Sequence, residues 1–328
     1  MVAATRFDSR TASSSVTASS FSRSPGTSLD AKTDAERHGR RLAILMMCAT
    51  MICYTATDSS AKFLGVHLPL WQIVWVRYLG ATLCALIVVN PVARPHILRS
   101  ERLGLQLWRS LFLLASTLLS FLAVRYLQLA EATAINFALP LAIALAAGPI
   151  LGEWVGPRRL VAILFGFIGV IVVVRPWTGT MHPAMFLCVA NVFVSAAYNM
   201  LTRVVAQRDR AVTTLVYSTL GGSILLAPLM LAVWVTPGSP IVWLMMVLIG
   251  IIGALGHWLL IMAHARAPAS ILAPFAYTQL LWATASGFLI FGDVPKPTTL
   301  LGATVVVMSG LYLWYRERSG KVSARERP

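Results

Sequence analysis

Long apolar runs alternate with short polar segments along most of the chain. Ten such runs can be marked, near 42–62, 70–90, 107–127, 130–151, 159–175, 183–203, 211–234, 241–263, 268–291 and 298–315. A helix of ~20 apolar residues crosses the ~30 Å hydrocarbon core of a bilayer. A helix is required, because backbone N–H and C=O groups in lipid must find partners within the segment. The connections carry turn residues, as in "VNPVARP", "VRPWTGTMHP", "VTPGSP" and "DVPKP". The pattern predicts an all-α integral membrane protein with ten transmembrane helices.

Composition agrees with this pattern. Of 328 residues, 57% are hydrophobic and 12% are charged. A soluble domain carries about twice that charge fraction. The first 41 residues differ: "TASSSVTASSFSRSPGTS" is rich in Ser and Thr, has no apolar core of a secretory signal, and is expected to be a disordered cytoplasmic tail. Residues 316–328 are expected to form a basic cytoplasmic tail.

The net charge of +15 could suggest nucleic acid, so its distribution decides its meaning. No basic stripe with interleaved aromatic residues is present, and nucleic acid is not an expected partner. With the N-terminus on the cytoplasmic side, 22 of the 27 Lys and Arg fall in cytoplasmic tails and loops and three fall outside. Lys62 and Arg77 lie within spans and complete the set. This asymmetry predicts that both termini are cytoplasmic. Cys48, Cys53, Cys84 and Cys188 all sit inside apolar runs, without CxxC or zinc-ligand spacing, so no metal and no cofactor is expected.

An internal repeat gives the span count a meaning. "LGEWVGPRRLVA" (151–162) aligns without gaps on "FGDVPKPTTLLG" (291–302) at an offset of 140. Gly152 matches Gly292, Glu153 matches Asp293 and Pro157 matches Pro297. Upstream, "AEAT" (130–133) aligns on "APAS" (267–270) with a three-residue slip. The first half is then helices 1–5, residues 42–175, and the second is helices 6–10, residues 183–315. Five is odd, so the second copy enters from the opposite side, as in secondary transporters with inverted repeats. Substrate sites in such folds lie near the midplane between the halves.

"AEATAINFALPLAIALAAGPILGE…GVIVVVRP", its degenerate second copy "APASILAPFAYTQLLWATASGFLIFGD" and the ten spans resemble the drug/metabolite transporter superfamily, in its branch with two EamA domains. "DSSAKFLGVHLPLWQIVWVRYLG" and "LWRSLFLLASTLLSFLAVRYLQLAEATAI" are most similar to bacterial uptake members, which include carriers for riboflavin and S-adenosylmethionine. The resemblance implies a multi-pass carrier of the cell inner membrane. It would work by alternating access on a small organic solute, with helices 1, 3, 4, 6, 8 and 9 lining the pocket.

Intramembrane ionisable groups mark functional candidates, because an unpaired charge in lipid is costly. Asp58 and Lys62, four residues apart in "ATDSSAKFLG", lie towards the outer end of helix 1, with Arg77 at a similar depth on helix 2. Two readings stand: an Asp58–Lys62 pair with an Arg77 clamp between helices 1 and 2, or a substrate-facing charge cluster. Neutral candidates near the midplane are Tyr54, Asn136, Asn191, His257, Tyr277, Gln279 and Trp282, which could hydrogen-bond and stack on an organic solute, or simply tie helices together. Pro140 and Pro274 are hinge candidates at loosely similar places in the two halves. Glu153 and Asp293 read as helix-end caps at opposite faces. No Walker A, HExxH or GxSxG motif is present, so a carrier is favoured over an ATP-driven pump or a membrane enzyme. The resemblance to cofactor-uptake members, together with the aromatic candidates Tyr54, Tyr277 and Trp282, implies import of a flat, vitamin-like solute such as riboflavin. An S-adenosylmethionine carrier, or an amino-acid or drug exporter of the same superfamily, is the alternative, and nothing in the sequence points to an oligomeric state.

Overall fold

The computed structural model describes residues 26–89, 100–151, 156–178, 181–205 and 208–325. Among them twelve α-helices follow one another, with no strand: α1 (Gly26–His67), α2 (Leu70–Val89), α3 (Leu103–Tyr126), α4 (Leu129–Asn136), α5 (Leu139–Leu151), α6 (Pro157–Val174), α7 (Ala184–Val205), α8 (Ala211–Val233), α9 (Pro240–Arg266), α10 (Ala269–Ala276), α11 (Gln279–Phe291) and α12 (Pro297–Arg325). Residues from Arg40 onwards form one compact unit, the bundle described below. Residues 1–25 of the tail expected to be disordered lie outside the described residues. Its remainder is helical, because α1 begins at Gly26. "AKTDAERHGRR" is rich in good helix formers such as Ala, Lys, Glu and Arg.

Among the described residues, eight segments are long and apolar enough to span a membrane: His38–His67, Leu70–Val88, Leu103–Tyr126, Leu129–Gly148, Ala184–Val205, Val212–Val233, Pro240–Arg266 and Pro297–Tyr315. The expected fifth span is a shorter apolar helix, Leu160–Val174. The expected ninth is divided between α10 and α11. The fourth is divided too, between α4 and α5. Each break falls within a long, predominantly apolar run, marked only by Asn136 in the first and by Tyr277-Thr278-Gln279 in the second, so the apolar pattern does not divide either run.

The two breaks are copies of one another. α4 and α10 each have eight residues, α5 and α11 each have thirteen, and each pair starts 140 residues apart. α6 and α12 begin at Pro157 and Pro297, again 140 apart. The gapless offset therefore continues upstream, and the three-residue slip inferred for "AEAT" and "APAS" is corrected: Leu129 corresponds to Ala269. Pro140 is the second residue of α5, where a missing N–H costs little. Pro274 lies inside α10, three residues before the second break. The prolines thus flank equivalent breaks from opposite sides. At both, bonds of the i to i+3 kind tighten the chain: Ala138 N–H to Ile135 O at 3.0 Å, and Thr278 N–H to Phe275 O at 3.2 Å.

Packing brings elements of the two halves together. α6 lies along α12, α3 along α7 and α8, and α2 along α8 and α9. α2 and α9 touch through backbone: a Cβ added at Gly80 would sit 2.7 Å from the Gly250 Cα. α6 and α12 meet in the same way at Gly169 and Gly302. Small residues are what allow this approach, since lipid supplies no hydrophobic force between helices and van der Waals contact must hold them. A main core of Leu64, Ile73, Phe121, Ile135, Leu141 and Ile249, among others, fills the bundle. A smaller cluster of Ala43, Met47, Met51, Ala263, Ala267 and Leu272 ties α1 to α9 and α10.

Candidate functional site

Tyr54, Asp58 and Lys62 are spaced by four on α1 and so share one face. They do not share partners. Lys62 Nζ donates to Asp293 Oδ2 at 2.6 Å and to the Leu127 carbonyl at 2.9 Å, over the Phe291 ring. The expected Asp58–Lys62 pair is not formed. The reason is competition: Asp293, just past the end of α11, offers a carboxylate beside a free helix-terminal carbonyl at the end of α3. An i,i+4 neighbour is worth only about 0.5 kcal/mol. Asp293 is therefore an ion-pair partner linking helix ends, beyond its expected role as a cap. Glu153 lies outside the described residues. At the same end of the bundle, Arg175 Nη2 lies 3.4 Å from Glu131 Oε1.

Asp58 is left without an ion pair or hydrogen bond among the described residues. The charge that acts on it is Arg77, on α2. The two are not in contact as an ion pair, so the expected clamp between helices 1 and 2 is not closed either. Arg77 stands over the rings of Tyr78 and Phe121, at 5.4 and 5.7 Å, and its Nε is buried without a hydrogen-bond acceptor. Its charge also reaches Tyr54 and His257. The Tyr54 hydroxyl and His257 Nδ1 are 3.0 Å apart, with their rings edge to face at 5.4 Å. Gly256 permits this junction, because a Cβ there would lie 3.1 Å from the Tyr54 ring. Tyr54, Asp58, Arg77 and His257 are each only half-buried, although they lie deep among the helices.

Asn136 and Asn191 meet in a second group. Asn191 Nδ2 donates to Asn136 Oδ1 at 3.0 Å, and Asn191 Oδ1 accepts from Ser116 Oγ at 2.7 Å. Ser195 joins Ser116 at 2.8 Å. This network joins α3, α4 and α7, with Asn136 at the first helix break. Tyr277, at the second break, packs edge to face on Phe137 with centroids 5.0 Å apart, and its hydroxyl lies against Gly310. Gln279 starts α11 and is half-buried. Trp282 is 39% exposed and is the outermost of the candidates. An apolar recess of about 280 Å³ between α4, α6 and α7, lined by Ile135, Phe167, Val170 and Phe186 among others, includes none of the candidates.

A third polar group escaped the sequence reading. Arg109, counted among the cytoplasmic loop charges, is 1% exposed and lies within α3. It donates to Gln106 Oε1, Tyr198 Oη, Thr202 Oγ1, the Thr214 carbonyl at 2.6 Å and Ser218 Oγ. Gln106 passes the network on to Asp209 at 2.8 Å. Burial pushes the Asp209 carboxyl up, but hydrogen bonds from Ser100, Gln106 and the Glu101 amide outweigh it and hold the group below its ordinary value. The signal was present in the sequence: Tyr198 and Thr202, and Thr214 and Ser218, are i,i+4 polar pairs that put acceptors on one face of two neighbouring helices.

Comparison with known proteins agrees with this architecture. A riboflavin transporter of Vibrio cholerae is 29% identical over 298 residues, covering 89% of this chain and 98% of its own. An S-adenosylmethionine uptake transporter of Rickettsia prowazekii is 24% identical, covering 84% and 94%. A riboflavin transporter of Brucella anthropi is 23% identical, covering 84% and 98%. A solved crystal structure, 17% identical, aligns over 80% of this chain and 94% of its own with a TM-score of 0.54, a likeness of fold alone. The sequence profile of the EamA-like transporter family matches residues 41–175 and 182–315, the two stretches that carry the paired helix breaks. The protein is thus a multi-pass inner-membrane transporter, and the chain belongs to the EamA-like transporter family.

Proposed function

We propose that the protein is a secondary carrier that brings a flat, uncharged, vitamin-like solute, riboflavin first among them, into the cell by alternating access. One observation carries the reading. Asp58 and Arg77, an acid and a base, lie half-buried in the bundle without an ion pair between them, beside the Tyr54–His257 ring pair. An acid and a base beside aromatic rings suit a neutral, planar, hydrogen-bonding solute. The two relatives named as riboflavin transporters support the same choice.

S-adenosylmethionine is the second reading, on the strength of the Rickettsia relative. It carries net positive charge, and Arg77 makes the site less favourable to a cation. In this proposal α6 and the α10–α11 pair complete ten crossings, as two inverted halves, 42–175 and 183–315. Both termini face the cytoplasm, in keeping with the distribution of Lys and Arg. The solute path runs past Tyr54, Asp58 and Arg77 towards Asn136, Asn191, His257, Tyr277, Gln279 and Trp282. Pro140 and Pro274 bend the path-lining helices, and Lys62 with Asp293 closes its outer end.

Growth rescue of a riboflavin-auxotrophic, transport-deficient bacterium on external riboflavin tests the reading, with S-adenosylmethionine uptake measured alongside. Rescue is expected. A protein that reaches the membrane yet restores no growth refutes the riboflavin assignment.

A further inference from the structure

We infer that the recess between α6 and α12 seats one anionic phospholipid of the cytoplasmic leaflet, with Arg158 and Tyr312 holding its phosphate and the groove beyond them holding an acyl chain. The leaflet rests on the orientation proposed above; the site itself does not depend on it.

The recess has a volume of about 420 Å³ and lies where α6 runs along α12. Val161 and Phe165 of α6 and Met308 of α12 line it, and all three are exposed. Both helices carry apolar segments, Leu160–Val174 and Pro297–Tyr315, so lipid is what meets this face in the membrane. Small side chains at Ala162, Thr304 and Ser309 leave the groove open, while Gly169 and Gly302 keep the two backbones close beyond it. Two hydroxyls border the groove, and both are spent on backbone. Ser309 donates to the Ala162 carbonyl, and Thr304 donates to the Leu300 carbonyl at 2.8 Å. The floor is therefore apolar, as an acyl chain requires.

One end of the groove is different. Arg158 and Tyr312 line it there. Arg158 comes two residues before the apolar segment of α6, and Tyr312 three residues before the end of the α12 span, so both sit at the membrane interface. Both are exposed, and neither makes an ion pair or a hydrogen bond among the described residues. No acid is among the described residues that line the recess. A guanidinium and a phenol, free at the head of an apolar groove, match a phosphodiester above an acyl chain. The dimensions agree: the stretches from Arg158 to Phe165 and from Thr304 to Tyr312 are each ~10–12 Å of helix, within the ~15 Å of one leaflet. Charge at this end favours an anionic headgroup over a zwitterionic one. α12 continues past its apolar span to Arg325, and residues 316–325 hold four basic residues against one acid. α6 starts at the same end without a side-chain cap, so its dipole adds to the positive field.

The test compares phosphatidylglycerol with phosphatidylcholine of the same chains, each added to the detergent-purified full chain, with retained lipid read by native mass spectrometry. Detergent has no sides and no solute is present, so the result is independent of the orientation and of the riboflavin reading. One phosphatidylglycerol should be retained, at least about fivefold more tightly than phosphatidylcholine, the worth of a single basic residue at an anionic surface. Arg158→Gln should abolish the preference, and Arg158→Lys should keep part of it. Arg102→Gln, which removes an exposed charge just before α3, should leave it intact. Thr304→Phe, which fills the groove from an exposed position, should weaken retention of both lipids. Equal retention of the two lipids by the wild-type protein overturns the inference. So does a preference that survives Arg158→Gln, or that falls equally in Arg102→Gln. Full retention in Thr304→Phe overturns it as well, as does a wild-type dimer that Thr304→Phe dissolves, which would give the groove to a second copy of the chain. The wild-type comparison needs no variant, so a poorly folding variant does not spare the inference.

Discussion

Gly80 and Gly250 set the distance between the helix that carries Arg77 and the helix that carries His257. Adding a methyl group at Gly80 brings a Cβ to 2.7 Å from the Gly250 Cα, and adding one at Gly250 brings it to 2.8 Å from the Gly80 Cα. Carbon atoms rest at about 3.5–4.0 Å, so the helices must part by about 1 Å. The obstacle is backbone, which cannot swing aside like a side chain. Overpacking of this kind costs about 1–3 kcal/mol, and an unyielding contact belongs at the upper end. Replacing helical Gly with Ala returns about 1 kcal/mol. Gly80→Ala and Gly250→Ala should each lose about 2 kcal/mol net. The double variant should lose less than the sum, because the first methyl already opens the space for the second. Gly253→Ala is the control: its Cβ meets Arg77 Nε at 3.8 Å, an ordinary contact, and it should be neutral or slightly stabilising. Thermal unfolding of the detergent-purified protein reads the stability. Solute uptake reads the shift of Arg77 against the Tyr54–His257 pair. If Gly80→Ala is as stable and as active as Gly253→Ala, the backbone contact does not set this spacing and the reasoning fails.

Two further outcomes follow from the ion pair and the acidic loop. The Lys62 and Asp293 side chains are 15% and 23% exposed, so the pair should be worth less than a fully buried one. Lys62→Met or Asp293→Asn alone should cost about 1–3 kcal/mol, with the exchange Lys62→Asp/Asp293→Lys recovering part of it in a double-mutant cycle; single variants as stable as wild type would show the pair to be inert. Asp209 titrates below its ordinary value in the folded protein, so the stability it adds is complete above the unfolded value near ~4 and is lost as pH falls through the lower folded value. Unfolding midpoints measured from about pH 6 down to 3 should fall on the acid side, less steeply in Asp209→Asn, and identical slopes would disprove this.

Eight of the ten expected spans and the twofold repeat were legible in the sequence because lipid leaves the backbone few choices. The breaks were not. Asn136-Phe137-Ala138 and Ala276-Tyr277-Thr278 lie within long, predominantly apolar runs, and proline placement marks them only loosely. Local spacing misled at Lys62: its partner is 231 residues away, a distance that an i,i+4 rule does not address. Arg109 was lost to its position near the start of an apolar run, where it passed for a loop charge. Its acceptors were visible as i,i+4 pairs on two other helices, but linking them to Arg109 requires knowing which helices adjoin. The Asp58–Arg77 neighbourhood was anticipated from depth along helices 1 and 2.

The matched lengths of the two broken helices restrict which insertions and deletions this chain can tolerate. Phe137 meets Tyr277 because eight residues precede each break, in α4 and in α10. One residue gained or lost in either segment would turn its break by about 100° and carry one ring away from the other. Length change within a segment therefore requires a compensating change 140 residues away, and two such events rarely coincide. Variation in length among descendants of this chain should collect in the connections between helices, and the eight-residue and thirteen-residue segments should persist unchanged in both copies.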